Sequence, residues 1–131
     1  MGFGDVLDED LERIASQVVD ALFRVHATFG PGLLETIYEQ CLSLELESRG
    51  LKVQRQLLVP ISYLGKTIEP GLRLDLLVEE KLIVECKAVE TMNPVYLSQV
   101  KTYLKLANKR LGILVNFNVP LIKDGLKRVI L

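Results

Sequence analysis

Apolar residues recur at helical spacing through "DEDLERIASQVVDALFRVHATFG", where Ile14, Val18, Ala21, Leu22 and Val25 share one side. Acidic residues crowd its start, where the helix dipole favours them, and Gly30-Pro31-Gly32 ends it. "LLETIYEQCLSLELESRG" predicts a second helix, stopped at Gly50. "LKVQRQLLVPISYLG" then reads as strand, with Pro60 as a break and a turn at Gly65-Lys66. "LRLDLLVEEKLIVECKAVE" supplies two more strands around a polar turn. "NPVYLSQVKTYLKLANKR" returns to helical period, with Val100, Tyr103, Leu104 and Ala107 on one face. "LGILVNFNV" reads as a buried strand and "GLKRVIL" as a short last one. The order α-α-β-β-β-β-α-β-β predicts an α/β fold on the border of α+β, a mixed sheet flanked by helices.

Composition narrows the class. The 131 residues are expected to form one domain, 1–131, and 49% hydrophobic with 25% charged is an ordinary globular balance. No apolar run reaches the length of a membrane span, and the acidic N-terminus does not resemble a signal peptide, so a soluble, cytoplasmic protein with no membrane partner is expected. Cys41 and Cys86 lie in apolar segments and are expected to be buried thiols in a reducing compartment. A formal charge of −1 weighs against strong non-specific nucleic-acid binding but allows a local basic patch. His26 is the only histidine, which excludes a multi-His metal site within one chain; it is expected partly buried near a helix end.

Three charges interrupt the best core-forming segments: Asp75 in one strand, Glu85 and Lys87 in the next. Side chains alternate along a strand, so Glu85 and Lys87 share a face while Val84, Cys86 and Ala88 take the other. An odd-numbered loop around Glu79-Glu80-Lys81 pairs Val78 with Leu82 and brings Asp75 opposite Glu85. A two-residue loop without a bulge points Asp75 the other way. The turn lacks Asn-Gly or Asp-Gly, so both registers stay open. If the carboxylates meet, they repel, and burial adds to the cost of ionising either. A divalent cation such as Mg²⁺, which prefers hard oxygen ligands, removes that conflict. The Lys87 ammonium suits stabilisation of charge in a transition state. The competing reading is an exposed strand face with a cross-strand Glu-Lys network.

The spaced Asp75 and Glu85-Cys86-Lys87 resemble the D…(D/E)xK signature of the PD-(D/E)xK nuclease superfamily. "GLLETIY", Gly32 to Tyr38, is similar to the G-x-x-E-x-x-Y motif of the GxxExxY family, a small-domain branch of it. The resemblance continues through "VECKAVE", "QVKTYL" and "LGILVNFNVPL" and covers the chain from Gly30 onward. It implies a restriction-endonuclease-like fold and hydrolysis of phosphodiester bonds, typically in DNA, with Mg²⁺ or Mn²⁺ as cofactor. On that resemblance Asp75 and Glu85 are metal ligands, with the Cys86 carbonyl a further one. Lys87 positions or activates the attacking water. Glu35 reaches the metal directly or through water, and Gln99 and Tyr103 match a Q-x-x-x-Y substrate-binding element. The superfamily's Pro before the Asp is replaced by Leu74.

The residues add their own reading at three points. Glu35 shares a helical stripe with Leu42 and Leu46, so it is directed inward; a first-turn acid serving the helix dipole is the local alternative. Gln99 and Tyr103 share a stripe at the edge of a buried face. Lys101, Lys105 and Lys109 form a separate cationic stripe, either a solvated face or a contact for substrate phosphates. At this size sequence specificity would need an oligomer or a recognition partner. The rival expectations are a silent nuclease-fold module that binds nucleic acid or a protein, and a structural domain with an ion-pair network. "NFNVP", Asn116 to Pro120, reads as a strand end and turn without chemistry.

Overall fold

The computed structural model describes residues 7–131; residues 1–6, the start of the N-terminus that does not resemble a signal peptide, lie outside them. Two helices, α1 (Glu9–Phe29) and α2 (Glu35–Ser48), precede three strands, β1 (Val53–Tyr63), β2 (Lys66–Val78) and β3 (Leu82–Lys87). Helix α3 (Pro94–Ala107), strand β4 (Leu111–Asn116), a 3-10 turn (Ile122–Gly125) and strand β5 (Leu126–Ile130) complete the chain. The five strands form one mixed sheet in the order β1-β2-β3-β4-β5. Only β3 and β4 run parallel, and α3 provides the crossover that a parallel pair requires.

Alternation along β3 and β4 divides the core in two. Leu82, Val84, Cys86, Leu111, Ile113 and Val115 meet α1 and α2 on one face. Ile83 and Leu114 meet Val100 and Leu104 of α3 on the other. Gly112 permits the close approach of α3, since a Cβ there would stand 2.7 Å from Val100 Cγ1. Asp8 caps α1 by accepting from the Leu11 amide at 2.7 Å, and Glu9, Asp10 and Glu12 follow in its first turn. Gly30 ends α1 at φ 66 and ψ −166, a conformation suited to glycine alone.

Three strands, not four, precede α3. Pro60 lies inside β1 at a register shift between Val59 and Ile61, on an edge strand where its missing N–H leaves no sheet bond unmade. The hairpin that follows turns through Leu64 and Gly65, at φ 49 and 73, one residue earlier than the pattern predicts. Helix α3 stops at Ala107 because Asn108 adopts a left-handed conformation and the Lys109 amide closes back on the Leu104 carbonyl at 2.9 Å. Lys109 therefore lies outside the helical stripe of Lys101 and Lys105. Both cysteines are free, but only Cys86 is buried; Cys41 is half-buried on α2. His26 is more deeply buried than expected, with Nε2 2.8 Å from the Val119 carbonyl oxygen. No helix among the described residues is long and apolar enough to cross a membrane.

Candidate active site

The turn between β2 and β3 holds three residues, Glu79, Glu80 and Lys81. It pairs Val78 with Leu82 and Leu76 with Val84. That is the odd-loop register, and its next step sets Asp75 opposite Glu85. Backbone pairing between the two strands ends at Leu76 and Val84. Beyond it the carboxylates take over the ladder. Glu85 Oε1 accepts from the Asp75 amide at 3.0 Å, and Asp75 Oδ2 accepts from the Cys86 amide at 2.9 Å. The two carboxyl groups also meet each other side chain to side chain, a contact that favours a proton on Glu85.

Asp75 also marks a break in strand alternation. Leu74 belongs to the α3 side of the core and Leu76 to the α1–α2 side, although two residues apart they should share a face. The same break occurs opposite, on β1. Arg55 pairs with Leu76 and Leu57 with Leu74, while Gln56 between them sits at φ 51 and joins neither ladder position. The sheet is thus kinked at the level of Asp75 without a register shift, the one shift in the β1–β2 pair lying between Val59 and Ile61.

Burial dominates the electrostatics. Glu85 is only 6% exposed, and desolvation, then the charge of Asp75, pushes its carboxyl up to about 8. The Asp75 amide and Lys87 pull the other way without reversing it. Glu35, half-buried in the first turn of α2, is raised by burial; Asp75 and Glu39 add to the rise and Lys87 opposes it. Burial holds the Tyr103 phenol above its ordinary value, reinforced by Glu85 and then Asp75. The Cys86 thiol is pushed well up by complete burial and then by the surrounding carboxylates, so it is no nucleophile.

Lys87 forms no ion pair within 4.0 Å of Asp75 or Glu85 among the described residues. Its Nζ stands 4.4 Å from the centroid of the Tyr96 ring, on α3. Tyr96, Gln99 and Tyr103 follow one another at three and four residues on α3, and all three are half-buried. Lys101 and Lys105 point to solvent on the same helix.

Three features of the site were not anticipated from sequence. Tyr38, fully buried, donates its hydroxyl hydrogen to the Gly30 carbonyl and accepts from the Leu33 amide at 3.1 Å, while its ring stacks on Phe117 at 4.3 Å. It thereby ties down the Gly30-Pro31-Gly32 loop that delivers Glu35. Glu39, 2% exposed, accepts from Gln56 and forms an ion pair with Arg55 at 3.4 Å. Burial raises its carboxyl, Gln56 lowers it and the Asp75 charge raises it. The heptad-like spacing of "ETIYEQCL" offered a signal, since Glu39 and Leu42 are three apart on the stripe judged to be buried. Asn116, assigned no chemistry by its sequence, locks the exit of β3: its Oδ1 accepts from the Val89 amide at 3.1 Å and its Nδ2 donates to the Val89 carbonyl at 2.9 Å.

A bound cation must find most of its ligands elsewhere. No three His, Cys, Asp or Glu side chains among the described residues are grouped to hold a metal ion. The donor set nevertheless fits Mg²⁺, which takes one or two carboxylates and completes its shell with water and substrate phosphate oxygens. It does not fit a closed structural site such as zinc's.

The family model of the PD-(D/E)XK nuclease superfamily matches residues 12–129, and the chain belongs to that superfamily. No curated protein and no solved structure matches it.

Proposed function

We propose that this PD-(D/E)XK superfamily member is a divalent-metal-dependent nuclease that hydrolyses phosphodiester bonds, with DNA as its substrate. The observation that carries the reading is the pairing of Asp75 with Glu85 where the β2–β3 ladder ends, each carboxyl group held by a backbone N–H of the other strand. Nucleases of the superfamily generally use divalent metals. Here Asp75 and Glu85 would hold Mg²⁺ or Mn²⁺, with the Cys86 carbonyl and, through water, Glu35. When bound there, the ion would supply activation of water and neutralisation of the leaving oxygen.

The chain's own groups set up that chemistry. The two backbone N–H bonds fix the carboxylates in place before substrate arrives, so little reorganisation is needed. Lys87 lies on the same strand face as Glu85, without an ion pair among the described residues, and its ammonium is available to the attacking water or to charge on the phosphorus-bound oxygens. Gln99 and Tyr103 line the α3 side of the site and Lys101 and Lys105 extend it as a cationic surface for phosphates. Lys109 adds charge beyond the helix end. "GLLETIY" supports placement in the GxxExxY branch. On this reading the protein acts in the cytoplasm, where two unpaired thiols persist. A homo-oligomer or recognition partner would supply any sequence preference.

The second reading is a silent nuclease-fold module that binds nucleic acid or a protein. One observation favours it: the absence of a three-ligand cluster among the described residues. Incubation of the purified chain with duplex and single-stranded DNA and RNA, with Mg²⁺ or Mn²⁺ and with chelator, separates the two. Chelator-sensitive cleavage that Asp75→Ala abolishes is expected. Inertness toward every form, beside a working control nuclease, sinks the catalytic reading.

A further inference from the structure

Arg73 stands two residues before Asp75 on β2, exposed to solvent. Its guanidinium donates from Nη1 to Gln56 Oε1 at 3.1 Å. The same Gln56 amide donates from Nε2 to both oxygens of Glu39, at 2.8 Å each. The carboxylate accepts only, so it dictates the amide's orientation and turns the Gln56 carbonyl toward Arg73. Gln56, at positive φ, lies between the residues of β1 that pair with Leu74 and Leu76, the neighbours of Asp75. A buried acid on α2 thus orients an arginine beside the kink that bears the metal-ligand candidate.

The charge balance of this chain of contacts is unusual. Glu39 has Arg55 as its ion-pair partner at 3.4 Å. Arg73 has only a neutral amide, so its positive charge is uncompensated among the described residues. A surface arginine without a carboxylate gains nothing for stability from being held still. A held arginine does gain as a receptor, because a pre-organised fork loses less entropy when it meets a phosphate. Beside it lies an open hollow of about 490 Å³ on the β1–β2 ribbon, lined by Gln56, Leu58, Pro70, Gly71, Leu72 and Arg73. Leu58 is 58% exposed there and offers an apolar wall beside a cation. An apolar wall and a fork-shaped cation together match one nucleotide, its sugar or base against Leu58 and its phosphate on Arg73.

We propose that Arg73 is a phosphate-contact residue for the nucleic-acid strand, and that Glu39 and Gln56 are positioning residues that hold it ready. The inference deepens the nuclease reading and rests on it, since it names where the substrate backbone runs beyond the reacting phosphate.

The test measures binding of fluorescein-labelled duplex and single-stranded oligonucleotides to the full chain without metal, by anisotropy across a salt series, and cleavage kinetics with Mn²⁺. Arg73→Ala is expected to weaken binding about tenfold and to reduce the log–log salt slope by about 1. It should raise KM with kcat and melting temperature unchanged. Arg73→Lys should restore the salt slope but only part of the affinity, because the charge returns without the fork. Gln56→Met, which keeps length and removes the amide, should weaken binding less than Arg73→Ala and add nothing to it in the double variant. Unaltered affinity and salt slope in Arg73→Ala, or full additivity of the two changes, overturns the inference. If wild-type protein cuts while Arg73→Ala keeps a normal KM, only this inference falls. If nothing is cut but binding still depends on Arg73, the catalytic reading falls and the contact stands. Absence of oligonucleotide binding at low salt overturns it as well.

Discussion

Asp75 and Glu85 exchange side chain for backbone: the Asp75 amide donates to Glu85 Oε1, and the Asp75 carboxylate accepts from the amide that follows Glu85. Each acid therefore anchors the strand of the other. The pair closes the ladder where backbone pairing ends, which explains why two carboxylates can lie together in a sheet without pushing it apart. Glu85 holds a proton in the absence of a cation, its carboxyl being pushed up to about 8.

That proton gives a pH signature. The unfolded carboxyl titrates near 4.5 and the folded one near 8, so the metal-free native state binds more protons in between. Stability from this group is fully present below about pH 4.5 and lost as the pH rises through about 8, by on the order of a few kcal/mol. Glu35 and Glu39, also raised, act in the same direction. Thermal melts of metal-free protein from pH 4.5 to 8 should show the decline, and Glu85→Gln should flatten it. Mn²⁺ should stabilise most at the upper end, where the proton it displaces is held least tightly. A metal-free stability that rises across this window would contradict the burial argument.

Lys87→Ala should lower kcat by ~10²–10³ while leaving Mn²⁺ affinity within a few fold, because the residue contributes to transition-state charge rather than to the ligand set. Single-turnover cleavage and calorimetric Mn²⁺ titration read the two quantities separately. An equal loss in both would reassign Lys87 to metal binding.

Glu35→Gln keeps shape and removes charge. Weaker Mn²⁺ binding and slower cleavage are expected, with little change in the metal-free melting temperature. A dipole-serving glutamate would forecast the reverse, ~0.3–1 kcal/mol of stability and no change in metal affinity.

Tyr38→Phe removes the hydroxyl that satisfies the Gly30 carbonyl and the Leu33 amide. The cost should be ~1–3 kcal/mol in denaturant unfolding, since both backbone groups lose a partner in a part-buried setting. Cleavage per folded molecule should fall only modestly. A large kcat loss without destabilisation would place Tyr38 in the chemistry rather than beneath it.

By itself the sequence determined the helices, the mixed α/β order and the identities of the charged residues, because apolar periodicity and charges inside core segments are local signals. It also carried the family resemblance, through Asp75, Glu85-Cys86-Lys87 and "GLLETIY". It left the register of the β2–β3 hairpin open, since a turn without Asn-Gly or Asp-Gly does not select its own length. Only tertiary structure decided that three turn residues set Asp75 against Glu85. Pro60 read as a break because its lost N–H is costly in a central strand; it lies within β1 because that strand is an edge. Glu39, Gln56 and Arg73 come from α2, β1 and β2, and no local pattern links them. Their hydrogen bonds arise from a kink that both strands share at Gln56 and Asp75, and a kink of that kind depends on which strands become neighbours.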